Sequence, residues 1–228
     1  MQYPVHHRPG SCTLPGRRRL LARDLVIPGD VSAAAFFLAG AALRPGSDVM
    51  IRGVGINPTR TGFLDVLRRM GASLTVTERP AQTGEPVADI RVQGTGRLAP
   101  IIVGRRDIPG LIDELPLVAV LGCAAHGTTI IRDAEELRAK ETDRIAIMTS
   151  QLRRLGGRVY EQPDGMVIEG PNRLHGTTCD SHGDHRIAMA LTIAALGAAG
   201  FTTVNHSNCI DISFPGYYPL LRSLLVPE

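Results

Sequence analysis

Three segments of the chain are apolar around the whole circumference of a helix. They cover residues 31–43, 115–125 and 186–199, and Arg186 is the one charged residue in them. A helix without a polar face has no side to turn toward water, so it is expected to be buried. The pattern therefore predicts internal helices with sheets packed around them, in an α/β (α+β) fold.

Each internal helix opens a similar unit of sequence, in which a short strand and a more amphipathic helix follow it. The first two units then add two closing strands. The predicted helices are 31–43, one ending over 67–72, 115–125, 143–155, 186–199 and 217–225, and the predicted strands are 49–51, 73–77, 89–92, 128–131, 158–161, 166–169 and 202–204. The repeats span residues 26–95, 100–170 and 180–228, and the chain ends where a third pair of closing strands is expected.

Capping residues are expected at several of these helix ends. Gly71 and Gly156 follow amphipathic helices, where a glycine commonly accepts the left-handed conformation that ends a helix. Thr142 is the predicted N-cap of the helix over 143–155, which places Arg144 in its first turn.

The net charge of +3 is unevenly distributed. Residues 1–23 contain five arginines and no acidic residue, namely Arg8, Arg17, Arg18, Arg19 and Arg23. The rest of the chain is therefore slightly acidic, and only 4% of all residues are aromatic. This argues against nucleic acid as a partner. We predict a flexible leader over residues 1–25.

The cysteines and the hydropathy indicate a cytoplasmic protein. Cys12, Cys123, Cys179 and Cys209 are far apart and form no CxxC pair, so reduced thiols are expected rather than disulfides or a zinc site. No apolar run reaches membrane-spanning length without a charge or a glycine or proline interruption.

An aspartate precedes each internal helix, at Asp30, Asp113 and Asp184. Each could be an N-cap that accepts hydrogen bonds from free backbone N–H groups, which is the favoured interpretation for any one of them. Asp113 is the best candidate for chemistry, because its unit also carries a dense charge cluster. A carboxylate near several cations stays ionised and can accept a proton from a hydroxyl.

Two charge clusters lie where helices begin, over residues 137–145 (LRAKETDRI) and 183–189 (GDHRIAM). A helix N-terminus already attracts anions, so added cations indicate a small ligand with several negative charges. Lys140, Glu141 and Arg144 could equally be a solvated charge run with weak internal ion pairs. Arg186 opens an apolar helix and can bind a carboxylate or phosphate with two hydrogen bonds.

Two further polar residues receive structural interpretations. His185 could be a general base, but a hydrogen-bonded structural histidine is favoured. Arg60, in the segment NPTRTG, is assigned a structural role.

These motifs, together with PGDVSAAAFFL at 28–38, MGA at 70–72, IDE at 112–114 and SFP at 213–215, resemble the EPSP synthase (3-phosphoshikimate 1-carboxyvinyltransferase) family. The resemblance runs from about Val26 to the C-terminus, and residues 1–25 show none. It implies a lobe of three βαβαββ-type repeats with buried helices, an inside-out α/β barrel lobe. The family has two such lobes, and this chain resembles the C-terminal one.

The resemblance also implies a reaction and the residues that perform it. The 5-hydroxyl of shikimate 3-phosphate attacks C2 of phosphoenolpyruvate, phosphate is eliminated, and no metal or organic cofactor is implied. Asp113 would contact shikimate 3-phosphate and handle the proton of its 5-hydroxyl, and Glu141 would exchange a proton with the phosphoenolpyruvate methylene. Lys140 would contact shikimate 3-phosphate, while Arg144 and Arg186 would bind phosphoenolpyruvate.

Some positions depart from the family pattern. Glu136 stands where some relatives have an asparagine against the shikimate phosphate, and its carboxylate would repel that group. Ile212 stands where some carry a lysine for phosphoenolpyruvate, and Ala139 replaces a common valine. The motifs of the family's N-terminal lobe are absent from residues 1–25, so we expect half of a cleft, negligible turnover by the isolated chain, and a possible separate N-terminal lobe as partner.

Three other functions remain open at this point. One is the related transfer of an enolpyruvyl group to UDP-N-acetylglucosamine, against which the two charge clusters argue. Another is a non-catalytic binding or interaction lobe. The third is an RNA-associated domain that depends on the arginine-rich head.

Overall fold

The structure is a computed structural model, and it describes residues 4–17, 19, 21–22, 24–80 and 84–225. The helices and strands in chain order are β1 (His6–Arg8), β2 (Ser11–Thr13), α1 (Val31–Leu43), β3 (Asp48–Gly55), α2 (Gly62–Arg69), β4 (Ser73–Arg79), β5 (Val87–Gln93), β6 (Ile102–Val103), α3 (Leu115–Ala124), β7 (Gly127–Ile131), α4 (Arg144–Arg154), β8 (Arg158–Gln162), β9 (Gly165–Gly170), β10 (Thr178–Asp180), α5 (His185–Leu196), β11 (Thr203–Asn205) and α6 (Tyr217–Leu224). Short 3-10 turns cover Ile108–Gly110, Ile112–Glu114, Glu135–Ala139 and Ser207–Ile212.

The apolar helices α1, α3 and α5 pack against one another in the interior. In α3 every residue from Leu115 to Cys123 is buried, and α1 is buried over nearly its whole length. Burial of all faces removes apolar surface from water at each turn, which is the main stabilisation available to such a helix. The predicted internal helices are confirmed.

The sheets surround these helices and share one order of strands. In the first unit the order is β3-β5-β4, and in the second it is β6-β7-β9-β8. The β6-β7 pair is parallel, and the first unit has an equivalent parallel bridge between Gly29 and Val54 beside β3. In the described part of the third unit, the sheet consists of the parallel pair β10-β11.

The predicted elements match the observed ones closely, and the differences have local causes. Strands β6 and β10 were missed because two or three residues are too short for a visible alternation. Gly71 and Gly156 have φ angles of +78° and +95° and follow α2 and α4 as predicted.

The prediction that Thr142 caps α4 is wrong. The N-cap is Asp143, whose carboxylate accepts a hydrogen bond from the backbone N–H of Ala146 at 3.0 Å. The Thr142 hydroxyl instead donates to Asp184 Oδ2 at 3.2 Å. A carboxylate one position later competes successfully for the free N–H groups, since it adds a favourable interaction with the helix dipole.

The described residues of the N-terminal 25 include a small antiparallel hairpin, β1-β2, which was not predicted. Its register pairs His6 with Thr13, and all six strand residues are exposed. Arg18 and Arg23 of the arginine-rich head lie outside the described residues. The flexibility of this leader stays a prediction.

Candidate functional site

Asp113 lies in the 3-10 turn Ile112–Glu114, directly before the buried helix α3. Its carboxylate does not cap that helix, because the N-cap position is Glu114 and no side chain bonds there. Asp30 and Asp184, in contrast, cap α1 and α5 by accepting backbone N–H groups at 3.0 and 2.9 Å. The N-cap interpretation is therefore right for Asp30 and Asp184 and wrong for Asp113, whose carboxylate is 22% exposed.

In the described structure, three guanidinium groups surround the Asp113 carboxylate. Arg186 Nη2 lies 3.4 Å from Oδ2, Arg144 Nη1 lies 3.6 Å from Oδ1, and Arg60 Nη2 lies 3.8 Å from Oδ2. These distances are ion-pair contacts and are too long for strong hydrogen bonds. Arg144 and Arg186 also pair with other carboxylates, so the cluster as a whole carries no excess of positive charge.

Arg144 is the most deeply buried member of the cluster, with a side chain only 1% exposed. Its Nε donates to Asp184 Oδ2 at 2.8 Å, and its Nη2 donates to the carboxylate of Glu141. A buried guanidinium is tolerated only when such acceptors compensate for its lost hydration. Among the described residues, Nη1 has no hydrogen-bond partner and points at Asp113.

Asp184 holds this arrangement together at the starts of α4 and α5. Burial by itself would raise the pKa of Asp184. Hydrogen bonds from the Arg144 guanidinium and from the backbone N–H groups of Ile187 and Arg186 outweigh that effect, so the pKa lies below its ordinary value. Asp184 is therefore a structural anion that positions Arg144.

Lys140 and Glu141 lie between the 3-10 turn Glu135–Ala139 and α4. Glu141 is half exposed and contacts Arg144. Lys140 Nζ forms an ion pair with Glu136 Oε1 at 2.8 Å, and Glu136 is well exposed. The interpretation as a solvated charge run is wrong for the buried Arg144, whereas the Lys140–Glu136 pair is a surface contact of the kind that contributes little stability.

Glu114 and Arg60 also belong to the cluster, although the sequence pattern indicated only a structural role for Arg60 and no role for Glu114. Glu114 is 3% exposed, and its Oε1 lies 3.6 Å from Arg186 Nη1. Arg60 Nη2 donates to Ser32 Oγ at 3.0 Å and so links the start of α1 to Asp113. Two sequence features could have indicated them. Glu114 is an acidic residue within an apolar run, and Arg60 is a cation in the short segment NPTRTG.

His185 is half-buried at the start of α5. Burial, assisted by the neighbouring Arg186, lowers the pKa of its imidazole, which favours the neutral form. Within the described part of the chain its ring makes no hydrogen bond, so the favoured interpretation as a hydrogen-bonded structural histidine is wrong. A role as general base stays untested.

The remaining candidates are peripheral. Ile212 is strongly exposed at the end of the 3-10 turn Ser207–Ile212. The four cysteines are free thiols, and three of them are buried. The longest described helix has 13 residues, and none of the described helices is long and apolar enough to span a bilayer.

The fold and the cluster together define a class of protein. It is an inside-out α/β lobe that presents clustered guanidinium groups, a lysine and carboxylates at the starts of α3, α4 and α5. Guanidinium groups bind carboxylate and phosphate oxygens, while the carboxylates can accept or donate protons beside the bound anion.

Comparison with known proteins identifies the family. The sequence model described as EPSP synthase (3-phosphoshikimate 1-carboxyvinyltransferase) matches residues 1–221. The chain belongs to the EPSP synthase family, as its motifs predicted. The match includes residues 1–25, where the motifs had shown no resemblance.

Individual relatives agree with this result. The 3-phosphoshikimate 1-carboxyvinyltransferase of Desulforudis audaxviator (strain MP104C) is 50% identical over 220 residues, which cover 96% of this chain and 51% of the relative. The 3-phosphoshikimate 1-carboxyvinyltransferase of Geobacter sp. (strain M21) is 52% identical over 217 residues, which cover 95% of this chain and 50% of the relative. A solved EPSP synthase from Acinetobacter baumannii superposes with a TM-score of 0.93 at 38% identity, covering 98% of this chain and 52% of that one. The chain thus spans about half the length of the curated relatives that it matches.

Replacing Asp184 by asparagine tests the buried ion pair. Asp184→Asn keeps a capping oxygen but leaves the Arg144 guanidinium without its main counter-charge, so we expect a loss of about 3–5 kcal/mol in the free energy of unfolding at neutral pH. The matched control is Asp65→Asn, which breaks an exposed pair with Arg68 and should cost about 0.5 kcal/mol or less. Urea unfolding of both variants measures the difference.

The same variant has a pH dependence of defined sign. The pKa of Asp184 is lowered by folding, so its stabilisation is present above the ordinary aspartate pKa and is lost as the pH falls through its folded value. The difference in the free energy of unfolding between wild type and Asp184→Asn should therefore become smaller in acid. A gap that stays constant down to the lowest pH of a reversible transition would contradict this assignment.

Replacing Glu114 by glutamine should have the opposite effect on stability. Burial is the largest influence on the pKa of Glu114 and raises it, against smaller opposing effects of Ser32 and Arg186. The stabilisation from protonated Glu114 is therefore complete below the ordinary glutamate pKa and is lost as the pH rises through the raised folded value. Glu114→Gln should be more stable than wild type at neutral pH, by about 1 kcal/mol, and should lose that advantage in acid. Thermal unfolding at both pH values checks this, and the control is Glu136→Gln, an exposed carboxylate whose replacement should leave the stability nearly unchanged at either pH.

Proposed function

We propose that this chain is the C-terminal lobe of a 3-phosphoshikimate 1-carboxyvinyltransferase and supplies half of its active site. The observation that carries the proposal is the placement of Asp113 among Arg60, Arg144 and Arg186. Such a cluster suits a reaction between two anionic substrates, because fixed cations offset their charges while a carboxylate remains available for proton transfer. The other half would come from a lobe that resembles the part of the relatives that this chain does not span.

In the proposed mechanism each of the two carboxylates carries out its own proton transfer. Asp113 accepts the proton of the 5-hydroxyl as its oxygen attacks C2 of phosphoenolpyruvate, while Glu141 donates a proton to C3. A tetrahedral intermediate results. Glu141 then removes a proton from C3 as the bond between C2 and the phosphate oxygen breaks, which restores the double bond and releases phosphate.

The cations position the substrates for this reaction. Arg186 and the Nη1 of Arg144, which makes no hydrogen bond among the described residues, bind the carboxylate or phosphate of phosphoenolpyruvate, since both lie within ion-pair distance of Asp113. Lys140 binds shikimate 3-phosphate. Glu141, held by Arg144, lies next to the phosphoenolpyruvate anchor and can therefore reach its methylene carbon.

The proposal includes a cytoplasmic location. The four cysteines are free thiols. In a secreted protein, oxidising conditions would favour disulfides. Free thiols are the normal state in the reducing cytosol, which supports the assignment.

A chimera tests the proposed function. This chain replaces the matching 220 residues of the Desulforudis audaxviator relative, and phosphate release is measured with phosphoenolpyruvate and shikimate 3-phosphate. We expect turnover, and a loss of about 100-fold or more in Asp113→Asn and Glu141→Gln with unchanged thermal stability. The control is Asp65→Asn, which removes only an exposed ion pair with Arg68 and should keep full activity.

Three results would contradict the proposal. A folded chimera that releases no phosphate would reject it outright. Enolpyruvyl transfer to UDP-N-acetylglucosamine in place of shikimate 3-phosphate would favour the related transferase. Full activity in Asp113→Asn would indicate a non-catalytic lobe.

Glu136 provides a second test within the same chimera. Its carboxylate now neutralises Lys140 and would have to be displaced by the shikimate phosphate. Glu136→Asn should therefore lower the KM for shikimate 3-phosphate, by about threefold, while the KM for phosphoenolpyruvate stays constant. The adjacent exposed carboxylate provides the control, since Glu135→Asn should change neither constant. An unchanged or higher KM for shikimate 3-phosphate in Glu136→Asn would show that Glu136 does not oppose the phosphate.

A further inference from the structure

A short loop of irregular backbone, residues 140–142, contains Lys140 and Glu141, two of the residues to which the proposed function assigns substrate contacts. The loop connects the 3-10 turn Glu135–Ala139 with α4, whose N-cap is Asp143. A segment outside helices and strands lacks the regular backbone hydrogen bonds of those elements. The contacts that fix its two ends therefore determine where its side chains lie.

Arg138, near the end of the 3-10 turn, is bonded directly to the far end of this loop. Its Nη1 donates to Asp143 Oδ2 at 2.7 Å. The other oxygen of the same carboxylate, Oδ1, accepts the backbone N–H of Ala146 at 3.0 Å and so caps α4. Because Arg138 and Asp143 flank the loop, their contact closes it and ties its shape to the start of the helix.

The rest of the Arg138 guanidinium is anchored to strand β8 and the turn that follows it. Nη2 donates to Glu161 Oε1 at 2.9 Å and to the backbone oxygen of Gln162 at 2.7 Å. Nε donates to the backbone oxygen of Pro163 at 2.8 Å. All three nitrogens of the planar group are thus engaged, which fixes its orientation. A lysine at this position has a single nitrogen and cannot reproduce the arrangement.

The phosphoenolpyruvate anchors of the proposed function are held by other contacts. Arg144 is bonded to Asp184, and Arg186 lies beside Glu114. Thr142, the last loop residue, also donates to Asp184. Loosening of the Arg138 contacts would therefore displace the first part of the loop and leave the two anchoring guanidinium groups in place.

We propose that Arg138 is a positioning residue, which holds the loop in the shape that presents Lys140 to shikimate 3-phosphate and Glu141 to the methylene carbon of phosphoenolpyruvate. The identity of these substrates rests on the proposed function. Arg138 acts through the loop and does not touch a substrate, because its three nitrogens are occupied by Asp143, by Glu161 and by backbone oxygens. A catalytic group must be held close to its productive geometry, and an irregular loop needs such a support.

Steady-state kinetics of the Arg138→Lys chimera test this role. The variant keeps the positive charge and loses the fork of hydrogen bonds. We expect kcat to fall about 20-fold through misplacement of Glu141. The KM for shikimate 3-phosphate should rise about fivefold through misplacement of Lys140, whereas the KM for phosphoenolpyruvate should stay the same. A purely structural role would lower the thermal stability without this division between the two KM values.

Arg91→Lys is the matched control. Arg91, on β5, likewise donates through two nitrogens to the carboxylate of Asp48 on β3. This variant loses the same type of fork, but the fork supports two strands of the first unit. Its kcat and both KM values should equal those of the unmodified chimera.

A variant at Asp143 examines the same contact from its other side. Asp143→Asn keeps an oxygen for the N–H of Ala146 and loses the negative charge that faces Arg138. It should show the same kinetic changes as Arg138→Lys, and the double variant should lose no more than the more affected single variant, because both act through one contact. Asp143→Asn decides the question if Arg138→Lys does not fold.

Amide exchange in this chain by itself provides a measurement that does not depend on activity. In Arg138→Lys the N–H of Ala146 should exchange about 10-fold faster, because the carboxylate that accepts it is held less firmly. The N–H of Gly156, bonded to Arg153 at the other end of α4, serves as the internal reference and should not change.

The outcomes separate this proposal from the proposed function. Unchanged exchange at Ala146, or unchanged kinetic constants in an active Arg138→Lys chimera, would overturn the role of Arg138 and leave the proposed function intact. Equal increases in both KM values would also overturn it. A chimera that releases no phosphate with Arg138 present would instead reject the proposed function.

Discussion

The buried ion pair between Arg144 and Asp184 is the interaction on which the site depends. Asp184 caps α5 and Arg144 begins α4, so their contact joins the second and third units at the point where two helices start. An arginine with so little exposure is stable only with such a partner. Its position in turn directs Nη1 at Asp113 and Nη2 at Glu141. The contact between Arg144 and Asp184 therefore supports three features at once: the cap of α5, the packing of the second unit on the third, and the positions of Asp113 and Glu141.

The three long ion-pair contacts around Asp113 leave guanidinium groups available for an anionic ligand, as the proposed function requires. Arg60, Arg144 and Arg186 approach the carboxylate at ion-pair distances and do not close on it with short hydrogen bonds. A ligand carboxylate or phosphate can therefore bind these groups without first breaking strong bonds within the protein. Glu114 supplies a counter-charge from the buried side, which limits the repulsion between the arginines.

Among the described residues, the sheet of the third unit is smaller than those of the other two units. The relatives are about twice as long, and both the wall opposite Asp113 and the strands beyond β11 are absent from the described residues. A repeat fold makes this difference visible, because the described units can be compared element by element. The first two units bury the apolar faces of α2 and α4, whereas α6 keeps three leucines partly exposed around its C-terminal end.

The sequence by itself determined the internal helices, most strands and the family, since apolar periodicity and linear motifs are local properties of the chain. It also indicated Asp113, Arg144 and Arg186. It could not separate Asp113 from the capping aspartates Asp30 and Asp184, because all three precede a helix and only the surrounding side chains differ. The choice of Asp143 over Thr142 as a cap, and the entry of Arg60 and Glu114 into the cluster, were decided by tertiary structure. Those outcomes depend on contacts between residues far apart in the chain, such as Arg60 with Asp113, whose energies no local pattern records.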